Sequence, residues 1–555
     1  MKTWKTNLEE TKQRYINWWN HKGIILSMWE HFQEGVKPHA DIAPPAPARD
    51  LSQKWFDPQW RAEYLDWYVA HSSLMADMLP VANTQLGPGS LAAILGGVFE
   101  GGEDTIWIHP DPNFNDEIVF NPEHPNWLLH KELLKACKAK ANGNYFVGMP
   151  DLMEGLDVLA ALKGTDMVLL DTVMQPEVLE QQMQQINDIY FKVFDELYDI
   201  IREGDEMAFC YFSSWAPGKM SKLQSDISTM ISQDDYRRFV QPFIREQCQK
   251  IDYTLYHLDG VGAMHHLPAL LEIEELNAIQ WTPGVGEPQG GSPKWYDLYK
   301  KILAGGKSVM ACWVTLEELK PLLDHIGADG VHLEMDFHNE REVEQAMRII
   351  EEYTGSSSSV SADVHTNQPV GEQDNAQESI RIREEKSQEE DRLKPLYDAI
   401  VAGKLEPAVE VTKDAIAAGV LPQDIINGYM ITAMGEVGQR FQDGKAFVPQ
   451  LLMAGRAMKG ALELLKPLLA GNASATIGKI VIGTVKGDLH DIGKNLVASM
   501  LEGCGFEVIN IGIDVTCDKF VEAVKENKAD ILCMSALLTT TMTYMQDVIR
   551  ALEEA

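Results

Sequence analysis

Two regions of this chain set imidazoles beside carboxylates at spacings that can do chemistry. In the first, Tyr256-His257-Leu258-Asp259-Gly260 and Val331-His332-Leu333-Glu334 each place a histidine two residues before an acid. Alternate side chains of a strand share a face, so His257 goes with Asp259 and His332 with Glu334. Cys312 sits in the apolar run SVMACWV (308–314) between them. Imidazole nitrogen, carboxylate oxygen and thiol are metal ligands, and they also suit a polar, metal-free substrate site. In the second region, Lys486-Gly487-Asp488-Leu489-His490-Asp491-Ile492-Gly493 follows the apolar run KIVIGTV. A histidine between two aspartates fits a solvated loop, or a ligand whose tautomer a neighbouring carboxylate fixes. Ser535-Ala536-Leu537 follows after the 41 intervening residues 494–534.

Such residues act together only where strand ends bring them together. EMAFCYFS (206–213), DYTLYHLD (252–259), LNAIQWTPG (276–284), SVMACWV (308–314) and GVHLEMD (330–336) read as strands. Helical stretches separate them, among them SQDDYRRFVQPFIREQCQKI, which opens on the N-cap candidate Ser232. Repeated βα units predict an α/β fold for residues 1–353, a (β/α)8 TIM-like barrel whose chemistry belongs at the carboxyl ends of its strands. The strands of its first half are not assigned. Residues 354–378, TGSSSSVSADVHTNQPVGEQDNAQE, carry almost no large apolar side chains and predict a flexible linker. Residues 379–470 predict an all-α bundle. In residues 476–555, KIVIGTV, FEVINIG and ADILCMSA alternate with helices and predict a doubly wound parallel sheet.

Composition narrows the function. A net charge of −35 is unsuited to a phosphate backbone, so no nucleic-acid partner is expected. Seven cysteines without a CxxC argue against a disulfide framework or a cysteine zinc ribbon, and for the cytoplasm. The opening MKTWKTNLEETKQRYINWW is charged throughout, unlike a signal peptide, and no apolar run is long enough to span a bilayer.

The pattern Asp488-x-His490-x-x-Gly493 with its distant Ser535-x-Leu537 resembles, in motif and spacing, the signature of methionine-synthase-type corrinoid proteins. Met434-Gly-Glu-Val-Gly-Gln-Arg-Phe441 and Phe447-Val-Pro-Gln-Leu-Leu-Met453 resemble the helical cap of methyl-carrying members. The resemblance covers about 170 residues and implies a flavodoxin-like cobalamin-binding domain behind a helical cap. It implies a cobamide whose cobalt takes His490 as lower axial ligand, with Asp488 as the imidazole's partner. Gly493 would admit the nucleotide tail, and Ser535, beside Leu537, would hydrogen-bond the displaced base. Phe447 and Leu451 are candidates for shielding the methyl group, ordinary packing between helices being the other reading. The family's Gly-Gly pair lies beyond the SxL element, and this sequence ends at Ala555 before reaching it. The sheet is therefore expected to lack its last strands.

GLDVLAALKGTDMVLLD, SDISTMISQDDYRRFVQPF and the Tyr256–Gly260 strand end resemble the uroporphyrinogen decarboxylase superfamily, which includes corrinoid methyltransferases. Its zinc-dependent methyltransferases end one strand on His-x-Cys and take a third ligand, usually Cys, from the last strand. The resemblance therefore implies His257, Asp259 and Glu334 as zinc ligands, with Cys312 in reserve. Carboxylates in place of thiolates leave a harder, more Lewis-acidic metal, suited to polarising a substrate oxygen.

The resemblances together imply a corrinoid-dependent methyltransferase fusion, moving methyl between a small substrate or acceptor and the carrier's cobalt. Fusion raises the carrier's effective concentration to roughly millimolar. A corrinoid-reactivating reductase and a second methyltransferase are the partners this implies. A porphyrinogen decarboxylase needs an arginine-rich pocket, yet the first 200 residues hold only Arg14, Arg49 and Arg61. A radical mutase fits the cap poorly, and a cobalamin sensor lacks a recognisable output module.

Overall fold

The computed structural model describes residues 3–102, 105–111, 114–284, 286–354, 387–469, 478–488, 492–503, 506–536 and 539–555. The chain divides into two compact units, Met1–Ser356 and Ser357–Ala555.

The strands of the first unit are, in chain order, β1 (Ile24–Ser27), β2 (Val81–Ala82), β3 (Val98–Gly101), β4 (Ile106–His109), β5 (Phe146–Met149), β6 (Met207–Phe209), β7 (Trp215–Ala216), β8 (Met220–Leu223), β9 (Tyr253–Asp259), β10 (Ala278–Thr282), β11 (Ser308–Ala311) and β12 (Val331–Glu334). Six of them form a parallel sheet in the order β1-β12-β11-β10-β9-β8, and β2-β5-β6-β7 form a second sheet. The second is parallel except for the β6–β7 hairpin. The sheets share no strand pairing among the described residues. Asp77 accepts from the Leu26 N–H of β1 at 3.0 Å, and the Met220 N–H of β8 reaches Met207 Sδ of β6 at 3.2 Å.

The strands β1, β5 and β11 are buried on both faces, which is why they read as nearly unbroken apolar runs. The helix Pro176–Ile201 buries Leu179, Met183, Ile186, Tyr190, Val193, Phe194 and Leu197, an apolar stripe at helical spacing. Ser232 caps the helix Gln233–Phe239, its hydroxyl accepting from the Asp235 N–H. Asp57 caps Pro58–His71 through the N–H groups of Gln59 and Trp60. All five strands expected from the sequence are present. The segment 206–213, however, is strand only to Phe209, then bends through a 3₁₀ turn with φ +59° at Phe212.

The second unit begins with helices Ser387–Val401, Leu405–Ala417, Ile431–Gln442 and Val448–Leu469. They close on a cluster including Leu396, Ile400, Ile425, Met430, Ala461 and Leu465. The strands β13 (Lys479–Thr484), β14 (Glu507–Asn510) and β15 (Ile531–Ser535) follow, parallel, in the order β14-β13-β15. Helices Ile492–Gly503, Cys517–Asn527 and Thr539–Glu553 alternate with them. A flavodoxin-like doubly wound sheet starts with this order. Central β13 needs glycine at position 483, where a Cβ would sit 2.8 Å from Ile511 and 2.9 Å from Phe520. Beyond Thr354, which ends the helix Glu340–Thr354, the predicted linker 354–378 lies outside the described residues, as do His490 and Leu537.

Candidate functional site

β9 carries His257 and Asp259 on one face, paired across the parallel ladder with Gln280 and Thr282 of β10. The Gln280 carboxamide oxygen faces His257 Nδ1, while its NH₂ donates to Thr282 Oγ1 at 2.7 Å and to Cys312 Sγ at 3.0 Å. With the amide so directed, Nδ1 carries the proton and Nε2 presents its lone pair. That nitrogen lies 3.9 Å from Asp259 Oδ2. Burial, aided by the Lys222 charge, pushes the His257 imidazole down to about 3, so it is neutral. Burial lifts the Asp259 carboxyl above its usual range, against the pull of Lys222.

A third acid completes this group. Asp226, His257 and Asp259 each offer a ligand atom, and these atoms lie within 4.8 Å of one another. Asp226 is placed by a carboxylate from elsewhere in the chain. Asp157 accepts from the N–H groups of Asp226 and Ile227, at 2.8 and 2.9 Å, and so fixes the turn Asp226–Met230. The donor set fits zinc. It offers one neutral nitrogen and two oxygens, and the 3.9 Å gap is close to the roughly 3.4 Å that a tetrahedral ion imposes.

Glu334 lies elsewhere. On β12 it accepts from Cys312 Sγ at 3.1 Å through Oε2, and its Oε1 is buried without a partner among the described residues. Burial raises this carboxyl to about 8, so Glu334 is protonated at neutral pH. Gln280 therefore bridges His257 on one side and the Cys312–Glu334 pair on the other. His332, one row below, is fully buried, held by Ser27 Oγ at 2.6 Å and edge-on to Tyr15 and Trp18.

Beside the group lies a buried ion pair, Lys222 Nζ to Asp151 Oδ2 at 2.5 Å, with Gln224 accepting from the same ammonium. Burial opposes the Lys222 charge, but Asp151 and the other acids outweigh it and hold the ammonium above its usual range. Glu154 accepts from the Gln224 N–H at 2.8 Å, and burial raises its carboxyl well above the ordinary value. Lys222 also stands 4.8 Å from the ring of Tyr211, which packs edge-on against Trp29. Met153, Phe212, Ser213 and Trp313, all in loops following strands, hold positive φ. Strained backbone of this kind gathers where surrounding structure holds a functional geometry.

Asp151, Lys222, Asp226 and Gln280 were not singled out from sequence. Asp226 and Asp157 do fall in the two stretches that carried the barrel resemblance, and their hydrogen bonds join those stretches. Lys222 gave no signal, because Lys219-Met-Ser-Lys-Leu reads as a charged turn rather than the fully buried strand β8.

In the second unit, β13 and β15 end side by side, with Thr484 opposite Ser535 and the Val485 N–H donating to the Ser535 carbonyl at 3.0 Å. Asp488 is fully buried just beyond β13 and accepts from Thr541 Oγ1 at 2.8 Å. Gly493 opens the helix Ile492–Gly503. A buried carboxylate two residues before His490, at adjacent strand ends, fits a ligand imidazole held from its other nitrogen. Leu451 is buried with Val437, Ala446 and Ala454 between helices, and Phe447 is half-buried just ahead of Val448–Leu469.

Two family models, each described as a B12 binding domain, match residues 478–555 and 392–466. Trimethylamine corrinoid protein 1 of Methanosarcina mazei is 44% identical over 160 residues, 28% of this chain and 74% of the relative. The dimethylamine corrinoid protein of Methanosarcina barkeri is 43% identical over 166 residues, 30% of this chain and 78% of the relative. Among solved structures, the methanol:cobalamin methyltransferase complex MtaBC of M. barkeri matches at 33% identity and a TM-score of 0.27, over 32% of this chain and 70% of that one. A methyltransferase from M. mazei matches at 11% identity and a TM-score of 0.41, over 64% of this chain and all of that one. No helix among the described residues is long and apolar enough to cross a membrane. On the similarity of its C-terminal region, the chain belongs to the corrinoid protein family.

Proposed function

We propose that the chain is a cobamide-dependent methyltransferase in which unit Ser357–Ala555 carries the cofactor and unit Met1–Ser356 binds the molecule that gives or takes the methyl group. One observation carries this reading. A corrinoid protein region shares its chain with an α/β unit whose nitrogen and oxygen ligands converge at a parallel strand end. The chemistry a bound cobamide supplies is uptake and release of a methyl group at cobalt. His490 would be its protein ligand, Asp488 would orient that imidazole, and Gly493, Ser535 and Leu537 would contribute to binding the rest of the cofactor. Phe447 and Leu451 belong to the cap, the first closer to the surface and the second as packing.

In the first unit, Asp226, His257 and Asp259 would hold a zinc ion, with Gln280 fixing the tautomer that leaves His257 Nε2 free for it. The chemistry a bound zinc supplies is Lewis acidity toward a substrate heteroatom. Lys222, paired with Asp151, keeps its ammonium beside the group, while Glu334 stores a proton on its buried carboxyl. Closure of the two sheets into one (β/α)8 barrel of the uroporphyrinogen decarboxylase type is part of this reading. So are a cytoplasmic setting, a reactivating reductase and a second methyltransferase as partners.

The test is a single turnover. Chain loaded with reduced cobamide is given candidate methylated compounds, and mass spectrometry follows their demethylation. Transfer abolished in both His490→Ala and His257→Ala supports the reading. Transfer that survives His257→Ala removes the first unit from the reaction.

A further inference from the structure

Arg61 is a buried cation at the edge of a cavity. It lies on the helix Pro58–His71, is only 7% exposed, and borders a cavity of about 560 Å³. Its guanidinium donates to the carbonyls of Gln85 at 2.8 Å and Asn83 at 3.2 Å and lies 5.4 Å from the ring of Trp55. No carboxylate pairs with it among the described residues. The thiols around it, Cys137 and Cys210, are both pushed up by burial and stay protonated at neutral pH. His130, which feels its charge, is kept neutral by burial. A buried cation with only carbonyl dipoles and one aromatic ring for company is costly, and such a charge is ordinarily paired.

The cavity supplies the place for a counter-charge. Trp29, Trp55, Trp60, Tyr64, Tyr68 and Tyr211 line it, a density of rings that favours a planar body or a methylated onium group. Glu30, the acid on its rim, is exposed and makes no ion pair with Arg61. Tyr211 also stands 6.5 Å, ring to ring, from His257, so this wall of the cavity adjoins the ligand group. The volume suits a small molecule.

We propose that this cavity binds the substrate by a carboxylate held on Arg61, with the aromatic wall holding the rest of the molecule, so that the substrate class is a methylated carboxylic acid. This rests on the methyl-transfer reading and names what that reaction acts upon. Arginine presents a planar fork that matches a carboxylate, which lysine does not.

The experiment uses the full chain without cobamide and reads binding by quenching of tryptophan fluorescence. Two matched pairs serve as probes, 4-methoxybenzoate against 4-methoxybenzyl alcohol and glycine betaine against choline. The acid of at least one pair should bind about 10- to 100-fold tighter than its uncharged-end partner, as a charged hydrogen-bonded pair implies. Which pair shows the preference tells an O-methylated ring acid from an N-methylated one. Arg61→Gln should erase the preference and Arg61→Lys should keep part of it. Equal binding within both pairs, no binding by either acid, or a preference unchanged in Arg61→Gln overturns the proposal. The native-chain comparison stands even if Arg61→Gln does not fold. Methyl transfer from choline as fast as from glycine betaine overturns the carboxylate anchor and leaves the transfer reading intact. Binding of an acid without any transfer does the reverse.

Discussion

His257 is neutral because burial and Lys222 oppose its charge, and Gln280 decides which nitrogen is free. The metal proposal therefore predicts elemental content residue by residue. Purified chain should hold about one zinc ion, as a three-ligand catalytic site does. His257→Ala and Asp226→Asn should each lower it severalfold, while Glu334→Gln, outside the group, should not. Full zinc in Asp226→Asn with loss in Glu334→Gln would restore the set inferred from sequence. Glu334 itself makes a prediction in pH. Its carboxyl is raised from an ordinary 4.5 to about 8 by burial, so between those values the folded state binds a proton the unfolded state has lost. Its contribution is thus most favourable below about 4.5 and declines as pH rises to about 8. The slope reaches at most about 1.4 kcal/mol per pH unit. In urea titrations from pH 5 to 8.5, Glu334→Gln should flatten the decline relative to the native chain. Parallel curves would show that the carboxyl is ionised in the folded state.

At the scale of elements, strands with plain apolar alternation were legible, and so were the strand ends that display His257, Asp259 and Glu334. The strand β8 was not, because Lys222 is charged and its compensation by Asp151 comes from 71 residues away. Asp226 was hidden for the same reason, its position being fixed by Asp157 on a separate helix. Turn geometry also escaped, since nothing in Tyr211-Phe212-Ser213 announces a left-handed backbone. Local signals did better, and Ser232 is an N-cap as read. Ser232→Ala should cost about 1 kcal/mol in urea unfolding, and no change would mean the cap is not formed. In the second unit Gly483→Ala places a methyl against Ile511 and Phe520 and should cost about 1–3 kcal/mol. Unaltered unfolding of that variant would contradict the packing of β13.

For the whole molecule, the two units matter because one chain carries both. If methyl moves between them within a chain, encounter is intramolecular, at an effective concentration of roughly millimolar. Dilution should then leave the first-order rate untouched. The most direct measurement is single-turnover demethylation by the cobamide-loaded chain over a hundredfold range of protein concentration, for the native sequence and His490→Ala. The account predicts a constant rate for the native chain and no transfer, with loss of bound cobamide or of its histidine-ligated spectrum, for His490→Ala. A rate that falls in proportion to dilution, or cobamide bound by His490→Ala with unchanged affinity and spectrum, would contradict it.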